Sequence, residues 1–259
     1  MTRRVSLAFA LVLVIASLVL ARPARAANEP RLEWKTLHTP HFRVTYYSGA
    51  EEVAQRVADT GESIYASMSE ELGWVPSEIP EIVLTDQAES ANGSATALPY
   101  NAVRLFVTAP EDMSPLGDVD DWYLELLTHE YTHVLHTDQI RGIPAIVNAV
   151  LGKTLSPNQA QPRWIIEGLA VTMESERTSG GRLRNGIWDM QMRADVLEDN
   201  VARLDELNGT VRRWPQGNIA YLYGSYFVQW IRNTYGASAI RGMIRDYGTQ
   251  PIPWGINRS

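Results

Sequence analysis

Apolar and polar positions along this 259-residue chain switch period partway along it. Phe42-Arg-Val-Thr-Tyr46, Glu81-Ile-Val-Leu-Thr85 and Ala102-Val-Arg-Leu-Phe-Val-Thr108 are strand-like segments, the last alternating cleanly as a half-buried strand does. Between the first two, Ala50 to Leu72 carries apolar residues at helical spacing. From residue 120 onward the period is helical. Trp122, Leu126, Leu127, Val134 and Leu135 make one buried stripe, with Asp118 and Asp120 available as caps. Pro162–Ala170 forms a second apolar helix. Trp188–Leu197 forms another, after the glycine-rich turn Thr178-Ser-Gly-Gly-Arg182. An aromatic amphipathic helix follows around Phe227, Trp230 and Ile231. This order predicts an α+β domain with a small N-terminal mixed sheet and a mainly helical second half.

The apolar run Val5 to Leu20 belongs to none of these elements. It follows Thr2-Arg-Arg4 and precedes Ala24-Arg-Ala26, the layout of a secretory signal with a small-residue cleavage site. Residues 1–26 are therefore expected to be a cleaved signal peptide and 27–259 the working domain, exported to the periplasm or the extracellular space of a bacterium. Arg3-Arg4-Val-Ser-Leu is a loose match to a twin-arginine signal, and ordinary secretion fits better. The run is only just short of a membrane span, which leaves an uncleaved anchor as a third option; once the signal is cleaved, no span is expected. The chain has no cysteine, which excludes disulfides, thiolate ligands, a cysteine nucleophile and a lipoprotein anchor. The formal charge is −7. Cleavage after residue 26 removes four of the 23 basic side chains and none of the 30 acids, taking the charge to near −11. That argues against nucleic acid or anionic lipid as a partner. Oligomeric state leaves no signature here.

Chemistry enters at Thr128-His-Glu-Tyr-Thr-His133. Histidines at i and i+4 of a helix stand one turn apart on the same face, so both imidazoles reach one metal, with Glu130 beside its open position. A buried helix gains nothing from His129, His133 and His136 unless they have partners. A third donor has to come from elsewhere. Glu167 is the one carboxylate in the apolar stretch Trp164–Met173, where its partner is a metal, an arginine or water.

Trp164-Ile-Ile-Glu-Gly-Leu-Ala170 resembles the W-x-x-E-G-x-A signature of gluzincin metallopeptidases. The likeness is to the peptidase MA-like branch, distant relatives of the aminopeptidase-N group. It runs from Thr39-Pro-His-Phe-Arg-Val-Thr-Tyr46 to Tyr221-Leu-Tyr-Gly224. The resemblance implies a zincin-like fold with Zn²⁺ on His129, His133 and Glu167. Glu130 would then be the general base in hydrolysis of a peptide or protein substrate. Glu174 matches an acidic position that supports a ligand, and His136 is expected to orient a ligand or its carboxylate. Tyr221 looks like the Y-x-x-G tyrosine that stabilises the oxyanion, although Tyr223 and Tyr226 are close enough to compete and all three suit a helical core. The strand just before the zinc helix, Ala102–Thr108, is expected to be an edge over the cleft to which extended substrate adds. Arg193 is either near the site or simply exposed.

Departures from the pattern narrow this. The gap from His133 to Glu167, through Gly142-Ile-Pro-Ala-Ile-Val and Leu155-Ser-Pro-Asn-Gln, is about twice that usual in aminopeptidases. No G-x-M-E-N motif for gripping a free amino terminus is present, which favours an endopeptidase. The carboxyl terminus stops where peptidase MA-like proteins continue, so a fragment is expected. The rival reading is a catalytically silent binding or scaffold domain of the cell envelope, and a weaker third is a zinc hydrolase of non-peptide amides or esters.

Overall fold

Strand and helix periods sort into one layer each in the computed structural model, which describes residues 31–111, 114, 116, 119–208 and 214–251. Five strands come first: β1 (Trp34–His38), β2 (Arg43–Tyr47), β3 (Glu81–Thr85), β4 (Gly93–Thr96) and β5 (Ala102–Phe106), with helix α1 (Glu51–Leu72) between β2 and β3. Helices α2 (Trp122–Thr137), α3 (Gly142–Leu151), α4 (Arg163–Arg177), α5 (Gly186–Leu197), α6 (Ile219–Tyr235) and α7 (Ala237–Tyr247) follow. The protein is thus α+β, with a small mixed sheet and a mostly helical remainder. The proposed signal residues 1–26 lie outside the described residues. No described helix is long and apolar enough to cross a membrane.

The sheet order is β1-β2-β3-β5-β4. The inner pairs β2–β3 and β3–β5 are parallel and the outer pairs antiparallel. This corrects one expectation: β5, the strand before the helix that carries His129 and His133, is interior, and the sheet's edges are β1 and β4. Gly93-Ser-Ala-Thr96 carries no apolar alternation, because small residues suffice where the strand lies close to a helix.

Val44, Ile82, Leu84, Val103 and Leu105 are fully buried, or nearly so, in the core that the sheet shares with the helices. α1 brings Ala54, Val57, Ala58, Ile64, Met68 and Leu72 to the same core and ends at Gly73, which takes the left-handed conformation at φ 65°. α2 is the central helix, and it is buried on almost every side. Its N-cap is Asp121, whose carboxylate accepts from the Leu124 N–H at 3.2 Å. Asp120 instead accepts from the Ser179 hydroxyl, and Asp118 lies outside the described residues.

α4 and α6 cross backbone to backbone. A Cβ on Gly168 would lie 2.3 Å from the Gly224 carbonyl carbon, and one on Gly224 would lie 2.1 Å from the Trp164 oxygen. That close crossing puts Glu167 and Tyr221 on the walls of one cleft. The long insert after α2 forms α3, whose Ile143, Ile146, Val150 and Leu151 are exposed.

Candidate metal centre

α2 and α4 together bring two imidazoles and a carboxylate to one point. His129 Nε2 and His133 Nε2 are 3.2 Å apart, and Glu167 Oε2 is 3.6 Å from the first and 3.4 Å from the second. A tetrahedral ion with bonds of about 2.0–2.1 Å needs donor atoms about 3.3–3.4 Å apart, so this triangle has the size one metal ion requires. Two imidazoles and a carboxylate suit zinc and other divalent ions that favour nitrogen donors. Among the described residues, this is the one group of three or more histidine and acidic side chains that can hold a metal ion.

The surrounding groups fix the donors. Burial opposes ionisation of Glu167, yet the hydrogen bonds from His129 and His133 hold its carboxyl far below the usual range. Burial and Arg182 push His129 down, but Glu167 and Glu174 outweigh them and carry the imidazole up to about 9. A metal at Nε2 would replace that proton, leaving the other on Nδ1, where it donates to Glu174 Oε2 at 2.7 Å. Glu174 is buried and held down to about 2, against its burial, chiefly by Arg182. Arg182 forms a fork on it, with Nε 2.7 Å from Oε1 and Nη2 2.6 Å from Oε2. The same Nη2 lies 2.7 Å from His129 Nδ1; with the proton on Nδ1 that is a close approach between donors.

Glu130 lines the same cleft with its Oε2 unpartnered and buried. Burial raises its carboxyl above the usual range, more than His129 and His133 pull it down. Gly93 of the edge strand fits against it, since a Cβ there would lie 2.7 Å from Glu130 Oε1. The cleft has a volume of about 780 Å³ and runs between Asn92–Ala95 of the edge strand and the α4–α6 wall.

Tyr221 is in this cleft, its ring stacked on His129 with centroids 6.3 Å apart. Arg163 Nη2 donates to its hydroxyl at 3.3 Å, while Arg163 Nε lies 3.5 Å from Glu167 Oε1. Glu167 therefore faces both an arginine and the two histidines. Tyr223 turns away and donates to Asp195, and Tyr226 lies outside the cleft lining. One expectation needs correcting. His136 touches no ligand: it lies about two turns beyond His129 along the helix, and its Nε2 bonds Gln161 at 2.8 Å, bracing the insert. Arg193, by contrast, is exposed as its default reading had it, and is paired with Asp189 at 2.8 Å.

Sequence reasoning missed Arg182 and Arg163. Each had a signal: a buried Glu174 demands a cation, and Arg163 stands at i−4 from Glu167.

No family model and no curated protein matches this chain. A solved structure of an aminopeptidase N family protein from Idiomarina loihiensis is similar at a TM-score of 0.45 and 11% identity. The alignment covers 84% of this chain and 40% of that one. This chain thus spans less than half of that protein's structure.

Proposed function

We propose that this protein is an exported zinc metallopeptidase of gluzincin type, acting on a peptide or protein substrate. The observation that supports it most is the donor triangle of His129, His133 and Glu167, sized for one ion, with the Glu130 carboxyl on the same cleft wall. Bound there, zinc supplies an acidified water and a polarised carbonyl. Glu130, raised by burial and free at Oε2, accepts the proton at that oxygen and passes it to the leaving amine. The Tyr221 hydroxyl accepts from Arg163, so its own proton is left to donate to the oxyanion. The free edge of β4 offers main-chain groups to an extended chain. In this proposal residues 1–26 serve as its cleaved export leader.

Metal analysis of the purified protein, paired with digestion of a peptide library, tests it. One zinc per chain and cleavage are expected, and alanine at His129, His133 or Glu167 should abolish retention of the metal. Glu130→Gln should keep zinc and fold while cleavage slows by about 10²–10⁴-fold. A Glu130→Gln protein that cleaves as fast as wild type removes Glu130 as base. Zinc without any cleavage by wild type supports the scaffold reading, and no zinc removes both.

A further inference from the structure

Glu125 stands on α2 one turn before His129, only 3% exposed, and forms part of the cleft wall. Its Oε2 has no hydrogen-bond partner. An acid this deeply buried is ordinarily paired, so its partner has to be accounted for. The nearby cation is already taken: both carboxylate oxygens of Glu174 hold Arg182. Two acids therefore share one arginine, and Glu125 has no cation of its own.

We propose that Glu125 is the floor of a subsite for a lysine or arginine side chain next to the scissile bond, so that the enzyme cleaves beside basic residues. This rests on the peptidase reading above. The walls suit such a side chain. Trp122, Leu126 and Trp188 line the cleft with Glu125 and cover an aliphatic stem. Arg182 already lies over the Trp188 ring, 5.7 Å from its centroid, so that aromatic surface accepts a guanidinium. One helical turn is about 5.4 Å, which places the carboxyl within a long side chain's reach of the donor triangle.

Electrostatics agrees. Burial and Glu174 push Glu125 up to about 8, while Arg182, His129 and the Gly181 backbone pull the other way. Burial thus favours the protonated carboxyl in the empty pocket, and an incoming cation would take the proton's place as the balancing charge.

Library digestion by the zinc-loaded protein should show lysine and arginine enriched at one position adjoining the cleaved bond. Glu125→Gln should lower kcat/KM on those peptides relative to leucine and methionine peptides by on the order of 100-fold, with zinc content unchanged. Agmatine, an arginine side chain without its main chain, should bind wild type by calorimetry and not Glu125→Gln. Cleavage without basic preference overturns the proposal, as does a basic preference that vanishes when peptide amino termini are acetylated. If wild type cleaves nothing, the peptidase reading fails, and agmatine binding alone upholds or overturns the subsite. Should Glu125→Gln not fold, the wild-type library profile decides.

Discussion

Arg182 ties together the supporting acid, one donor histidine and the tyrosine of the centre. Its guanidinium grips Glu174, approaches His129 and lies 5.1 Å from the Tyr221 ring centroid. Arg182→Met strands a carboxylate that is almost fully buried, so about 3–5 kcal/mol of stability should be lost. The same change leaves Glu174, which holds the His129 ring, without its brace, and zinc affinity by chelator competition should fall about 10–100-fold. Adding Glu174→Gln removes the stranded charge, so melting temperature should recover while zinc affinity stays low. Recovery of both would mean that Glu174 does not position His129. Tyr221→Phe is narrower: kcat should drop on the order of 10²-fold with KM little changed and zinc retained. At this scale the spacing of His129, Glu130 and His133 was readable because a helix has one period. Glu167 and Glu174 came with a local signature. Glu174 called for a cation, but which one was not readable, since a 3₁₀ turn after Gly180-Gly181 delivers Arg182 and no period runs through that turn.

Glycine decides how the elements meet. Gly224 allows α6 to lie on the Trp164 carbonyl, one turn before Glu167. Gly224→Ala puts a Cβ 2.1 Å from that oxygen, so the two helices must separate. Overpacking of this kind costs about 1–3 kcal/mol. Here it should also move Glu167 away from the histidines, and weaker zinc retention alongside a lower melting temperature is the expected result. A stability loss with zinc affinity intact would show that the crossing does not position the ligand. α1, β3 and the α2 stripe were legible from period alone, because each buries one face of a regular element. β4 was not: its small residues answer to the helix they lie against. α3 was not either, since its exposed apolar face inverts the usual rule.

Over the whole molecule, acid excess and buried titratable groups set how stability depends on pH. His136 is fully buried at the foot of α2, with Nε2 on Gln161 Oε1. Burial is the main reason its imidazole is pushed down to about 4 from 6.5, with His133 adding and the Gln161 bond opposing. The folded state therefore keeps His136 neutral where the unfolded chain would protonate it. The sign follows from linkage. The contribution is complete above pH 6.5 and is lost as pH falls towards 4, because protons then favour the unfolded chain. From pH 7.5 to pH 5 the expected loss from this residue is about 2 kcal/mol, or some 4–8 °C in melting temperature for a chain of this size. Thermal melts of the zinc-free protein across that range check it, since removing the metal separates this slope from proton competition at the ligands. His136→Gln should start less stable and show a flatter slope between pH 7.5 and 5. An unchanged slope in that variant would assign the acid sensitivity to other groups and leave His136 as packing alone.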